Sequence, residues 1–227
     1  MPAVSCGHPD DTASVNCTHG KGPGCAAVAG KMATMWLKLG GTGLDTAASY
    51  ENQPQVGAAI RAAVAAGTNR SNIFVTTKIN PGGRTGTGSC TAAATLAAVK
   101  ADVSQLNIGA LDLVLLHFPC STDAGNKAVW EGLAQAKELG LTRAIGVSHF
   151  TASSLTAIMS VGKGAPAVNQ CALSVGNHDD ATIKFCKAKG IVYEAFSALK
   201  NVDLKDQRLM VRPHAQLSCH VALARFF

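Results

Sequence analysis

Charge is scarce in this sequence: Asp, Glu, Lys and Arg supply 15% of its 227 residues, while hydrophobic residues supply 47%. An ordinary soluble domain is about 25% charged, so a disordered chain is excluded and a well-packed core is expected. Long hydrophobic runs are missing too. The apolar run LVLL at 113–116 falls far short of the roughly 18 residues that a membrane span needs. Aromatic residues are only 5%, and the formal net charge of +6 is carried by Lys and Arg residues scattered singly. With no basic run and few interleaved aromatics, a nucleic-acid surface is not expected. A diffuse positive field suits a small anionic ligand such as a phosphate-bearing cofactor.

Other absences narrow the choice further. The eight cysteines include no C-x-x-C pair and follow no regular framework, so free thiols in a reducing, cytoplasmic compartment are expected. Cys17, His19 and Cys25 lack a fourth partner at zinc-ligand spacing, so no metal site is expected. The N-terminus has neither a basic start nor an apolar stretch, which argues against a secretory signal. No G-x-G-x-x-G follows a strand, and the glycine-rich loop at 82–88 fits neither that motif nor a Walker loop. The length predicts one domain over 1–227, with core enough to fold without metal or disulfides.

What is present is alternation. Short apolar segments at 1–6, 43–47, 73–79, 111–118, 142–149, 167–170 and 191–197 read as strands. Between them lie stretches with one-face helical spacing. One from Val28 onward carries Met32, Met35, Trp36 and Leu39, and a second carries Val56, Ala59, Ile60, Ala63 and Val64 after an Asn52 cap. A third carries Leu96, Val99, Val103 and Leu106, and a fourth Val129, Trp130, Leu133 and Ala136. Residues 181–189 and 214–227 also read as helical, while 8–24 reads as a long loop. Seven repeats of this pattern predict an α/β fold with parallel strands, and without a dinucleotide fingerprint a barrel is favoured over an open doubly wound sheet.

In a parallel barrel the strand ends converge on one face, where the chemistry of that fold is done. Asp45 closes the second predicted strand and Tyr50 follows it; Lys78 and His117 stand near the ends of the third and fourth. A lone strand-end His is usually a satisfied polar tip, and a Lys–Asp pair usually an ion pair. Together, on three consecutive strand ends, these residues form a candidate site.

The stretches LDTAASYENQPQVG (44–57), FVTTKI (74–79), LDLVLLHFP (111–119), AIGVSHF (144–150), PAVNQ (166–170) and EAFSAL (194–199) resemble those of the aldo-keto reductases. The resemblance implies a TIM-type (β/α) barrel that reduces small aldehydes or ketones with NADPH, NADH being the alternative, bound without a Rossmann motif. It implies a catalytic tetrad of Asp45, Tyr50, Lys78 and His117. It further implies cofactor contacts from Asp45, Ser148, His149, Gln170, Phe196, Ser197 and Leu199. The implied partner is a small carbonyl compound, and the implied assembly a monomer or weak oligomer.

Physical chemistry accords with these roles. Hydride delivered to a carbonyl carbon leaves negative charge on oxygen, which needs stabilising or protonating as it forms. A tyrosine hydroxyl is a poor acid at neutral pH, but a neighbouring ammonium favours its phenolate. His149 stands where the family usually has Asn. The matched stretches stop before an eighth strand and its basic loop, so the barrel is expected to be incomplete, about seven of eight strands. Weak NADPH binding with little preference over NADH follows, Arg212 and Arg225 offering a diffuse substitute. The alternative is a barrel that binds a cofactor or partner protein without turnover.

Overall fold

A computed structural model of the protein describes residues 3–5, 23–174 and 177–198. Residues 8–22 of the predicted loop at 8–24, with Cys17 and His19, lie outside these residues, as do Leu199, Arg212, Arg225 and the predicted helix at 214–227; the last two residues of that predicted loop, Pro23 and Gly24, belong instead to a helix. Strands and helices alternate: β1 (Ala3–Ser5), α1 (Pro23–Lys38), β2 (Gly43–Asp45), α2 (Gln53–Ala65), β3 (Phe74–Ile79), α3 (Ala92–Leu106) and β4 (Leu111–Leu116). Then come α4 (Asp123–Glu138), β5 (Thr142–Ser148), α5 (Ala152–Met159), β6 (Val168–Ala172), α6 (Asp180–Lys189) and β7 (Val192–Phe196). All the strands pair in parallel, in sequence order from β1 to β7. This is the expected incomplete (β/α) barrel: among the described residues β1 and β7 remain as edges.

Local sequence explains the element ends. Thr91, Thr122, Thr151 and Asp179 each accept a backbone N–H at the start of a helix, as N-cap residues do. Gly190 closes α6 in the left-handed region, where a side chain would be strained. β4 is buried along its whole length, as its largely apolar sequence requires of a strand covered on both faces; its one charge, Asp112, is paired with Arg70 and Arg143.

Three expectations need correction. In α1 the buried residues are Cys25, Ala26, Ala29, Ala33 and Leu37, while Met32 and Met35 are exposed, as is Leu39 just past its end, to 78%. The spacing was helical but the face was the other one. α1 lies so close to α2 that a Cβ on Gly30 would sit 3.0 Å from Cβ of Gln55. Only small side chains fit there, so volume overrode hydrophobicity. Trp36 is held partly buried by donating its indole N–H to the Gly43 carbonyl at 2.9 Å. Asn52 does stand at the N-cap position of α2, but its side chain makes no cap bond; it accepts the Thr46 hydroxyl at 2.6 Å instead.

The third correction concerns the thiols. Cys90 and Cys120 form a disulfide across a sequence separation of 30, and Cys25 is also disulfide-bonded. Of the described cysteines Cys171 and Cys186 are free, and both are buried. Sequence spacing hid the Cys90 bond because it joins two loops that neighbouring strands β3 and β4 bring together. Among the described residues no cluster of His, Cys, Asp or Glu could hold a metal ion, and no helix is long and apolar enough to cross a membrane.

Candidate active site

The C-terminal ends of the strands gather the polar residues. Asp45 ends β2, Lys78 is next to last in β3, His117 follows β4, Ser148 ends β5, Gln170 lies in β6 and Phe196 ends β7. Tyr50 closes the single helical turn Ala48–Tyr50 after β2. Parallel pairing in near-even register is what carries these positions to one rim. There, Asp45, Tyr50, His117, Ser148, His149 and Gln170 line one cavity of about 320 Å³. Glu194, Ala195 and Phe196 complete its wall.

Lys78 is buried beside Asp45 and Tyr50, two of the residues that line this cavity. Its ammonium donates to Asp45 Oδ1, to the Thr46 carbonyl at 3.2 Å and to the Tyr50 hydroxyl at 3.4 Å. Burial by itself would lower the Lys78 pKa, but the Asp45 carboxylate and the Tyr50 oxygen more than offset it, and the net shift is upward. The ammonium is therefore charged at neutral pH. Asp45 takes a second hydrogen bond from Gln170 Nε2 at 2.9 Å, so both carboxylate oxygens are engaged and the ion pair is fixed in place.

His117 is pushed the other way. Burial, with the nearby charge of Lys78 and contributions from His149 and Arg84, lowers its pKa to about 3. The imidazole is thus neutral. Its Nδ1 lies 3.4 Å from Ser49 Oγ, and its ring meets the Tyr50 ring edge-on at 5.8 Å.

The β5–β7 side is different in kind. Ser148 donates its hydroxyl to the Gln170 carbonyl at 2.7 Å. His149 has φ +61°, a left-handed backbone that Asn, Asp and His adopt more readily than other side chains. That gives a physical reason why His can replace Asn at this turn. The His149 ring stacks on Phe118 at 4.7 Å and meets Phe196 edge-on at 5.4 Å. Ser197, with φ +58°, follows β7 but is exposed and does not line the cavity. Glu194 does, although sequence reasoning passed over it; burial and the charge of Asp45 raise its pKa. Its strand parity with Phe196, two residues on, was the signal that could have found it.

Comparison with known proteins identifies the family. The aldo/keto reductase family matches residues 20–215. An aldo-keto reductase of Bombyx mori is 31% identical over 176 residues, 74% of this chain and 55% of its own length. An NAD(P)H-dependent 6'-deoxychalcone synthase of Glycine max is 31% identical over 185 residues, 72% of this chain and 55% of its own. A crystal structure of the Bombyx mori reductase in complex with NADP superposes with a TM-score of 0.73 at 26% identity, covering 86% of this chain and 61% of that one. The chain spans about half the length of the curated relatives it matches. A match over most of its length, on a barrel with this strand order, places the chain in the aldo/keto reductase family.

Proposed function

We propose that the protein reduces small aldehydes or ketones to alcohols with NADPH, Tyr50 acting as the general acid. The observation that carries this reading is the Lys78 ammonium within 3.4 Å of the Tyr50 hydroxyl, at the rim of a cavity that His117 shares. The choice of NADPH draws on the Glycine max relative, named as NAD(P)H-dependent, and on the Bombyx mori structure, which carries NADP.

The donor set on the β5–β7 side suits a nicotinamide. The Phe196 ring offers an apolar face for a planar heterocycle. Ser148, His149 and Gln170 offer hydrogen-bonding groups of both senses for a carboxamide. When bound, the nicotinamide supplies the hydride.

The remaining work falls to the chain's own side chains. As negative charge develops on the carbonyl oxygen, the Tyr50 O–H gives up its proton to it. Lys78, held charged by Asp45, stabilises the phenolate left behind. His117 is neutral; with Nδ1 accepting from Ser49, its Nε2–H is free to donate to the carbonyl oxygen and orient it.

Tyr50→Phe is the test. General acid catalysis is worth roughly 10²–10⁴ in rate, so carbonyl reduction should fall at least a hundredfold. Cofactor affinity, measured by nicotinamide fluorescence, should change little. A variant that loses cofactor binding while keeping turnover would overturn the assigned roles.

A further inference from the structure

The β3–α3 loop is built with more care than a connection requires. Gly83 donates to the Asn80 carbonyl at 3.1 Å, Gly88 to that of Gly82 at 2.8 Å, and Ser121 to that of Gly86 at 3.0 Å. Gly86 has φ +71°, and a Cβ there would sit 2.6 Å from the Ser121 nitrogen. The loop is therefore docked on the segment after β4, and the disulfide between Cys90 and Cys120 ties its end to the same place. What this loop presents is Arg84.

The Arg84 guanidinium lies 5.7 Å from the centroid of the Phe118 ring. Phe118 stacks on both His117, at 4.5 Å, and His149, at 4.7 Å. A cation thus stands one ring away from two residues that line the cavity. The ion pairs among the described residues involve other cations, namely Arg70, Arg143, Lys78, Lys163 and His178. Arg84 is exposed and has no carboxylate partner there. Its charge nevertheless reaches inward, for it helps to lower the pKa of both His117 and His149.

A guanidinium pre-positioned by a pinned loop, with no carboxylate partner among the described residues, matches a carboxylate in geometry and charge. We propose that Arg84 recognises an anionic group on the carbonyl substrate, so that the preferred substrates are aldehydes or ketones bearing a carboxylate about one aromatic ring's width from the carbonyl. This rests on the reductase reading above. Arg84 acts on specificity and takes no part in the proton or hydride transfer.

The test compares 4-carboxybenzaldehyde with 4-methylbenzaldehyde, two substrates of similar size, using the full chain and NADPH. The wild-type ratio of kcat/KM should favour the carboxylate, and Arg84→Gln should reduce that ratio at least tenfold. Arg84→Lys, which keeps the charge but loses the fork, should fall between them. An unaltered ratio in Arg84→Gln, or a wild-type ratio near one, overturns the proposal. If neither aldehyde is reduced, the reductase reading falls, and calorimetric binding of 4-(hydroxymethyl)benzoate decides on Arg84 alone. An increase in Kd of fivefold or more in Arg84→Gln supports the anion site; equal affinity, or no binding by the wild type, refutes it.

Discussion

Asp102 sits inside α3 and is almost wholly buried, 1% exposed, at a position where the hydrophobic pattern of that helix leads one to expect no charge. Thr77 donates its hydroxyl to the carboxylate at 2.9 Å, and Gln53 donates to Thr77 at 2.7 Å. These bonds do not repay the lost hydration: burial raises the Asp102 pKa from 3.8 to about 6. A gap of about two units at 1.36 kcal/mol each puts the cost of keeping this carboxylate ionised near 3 kcal/mol at neutral pH, as an upper figure. The folded pKa lies above the unfolded one, so this group favours folding most below pH 3.8. That advantage is lost as pH rises through about 6.

Asp102→Asn removes the charge and keeps an acceptor for Thr77. The buried Gln53 Oε1, which has no hydrogen-bond partner, is an acceptor on the side chain that already bonds Thr77. The variant should therefore be more stable than the wild type by about 1–2 kcal/mol at pH 7.5, with the difference fading toward pH 4. Urea denaturation of both proteins at pH 4, 6 and 7.5 measures it, and other titrating groups cancel in the difference. A variant less stable at pH 7.5, or a difference that does not vary with pH, refutes the reasoning.

Two further outcomes follow from packing and covalent constraint. Reducing the bond between Cys90 and Cys120, or replacing both with Ser, should lower stability by up to about 3–4 kcal/mol, the chain-entropy value for a loop of this length; scanning calorimetry with and without reductant checks it, and the double Ser variant should not respond to reductant through this bond. Gly57→Ala should destabilise by about 1–3 kcal/mol despite the better helix propensity of Ala, because the new Cβ would lie 2.0 Å from the Leu106 carbonyl oxygen. A Gly57→Ala protein as stable as the wild type in urea would mean that α2 and α3 separate more easily than their packing implies.

The parts of this protein that were legible from residue order are those governed by local rules. The apolar run at 113–116 marked β4, and the one-face spacing of Val56, Ala59 and Ile60 marked the buried side of α2. Because side chains at successive strand ends must share a rim in a parallel barrel, Asp45, Lys78 and His117 could be grouped before any coordinate was known. What needed the tertiary structure depends on distances between segments far apart in the chain. Helical periodicity placed α1 on a helix but could not say which stripe faces α2, and the close approach at Gly30 turned the alanines inward. Spacing could not pair Cys90 with Cys120, since only the adjacency of the β3 and β4 loops brings them together. For the same reason Asp102, Glu194 and Arg84 drew no attention as residues in a row. A carboxylate becomes costly, or a guanidinium becomes a recognition group, only through what the fold places against it and how much water it leaves there.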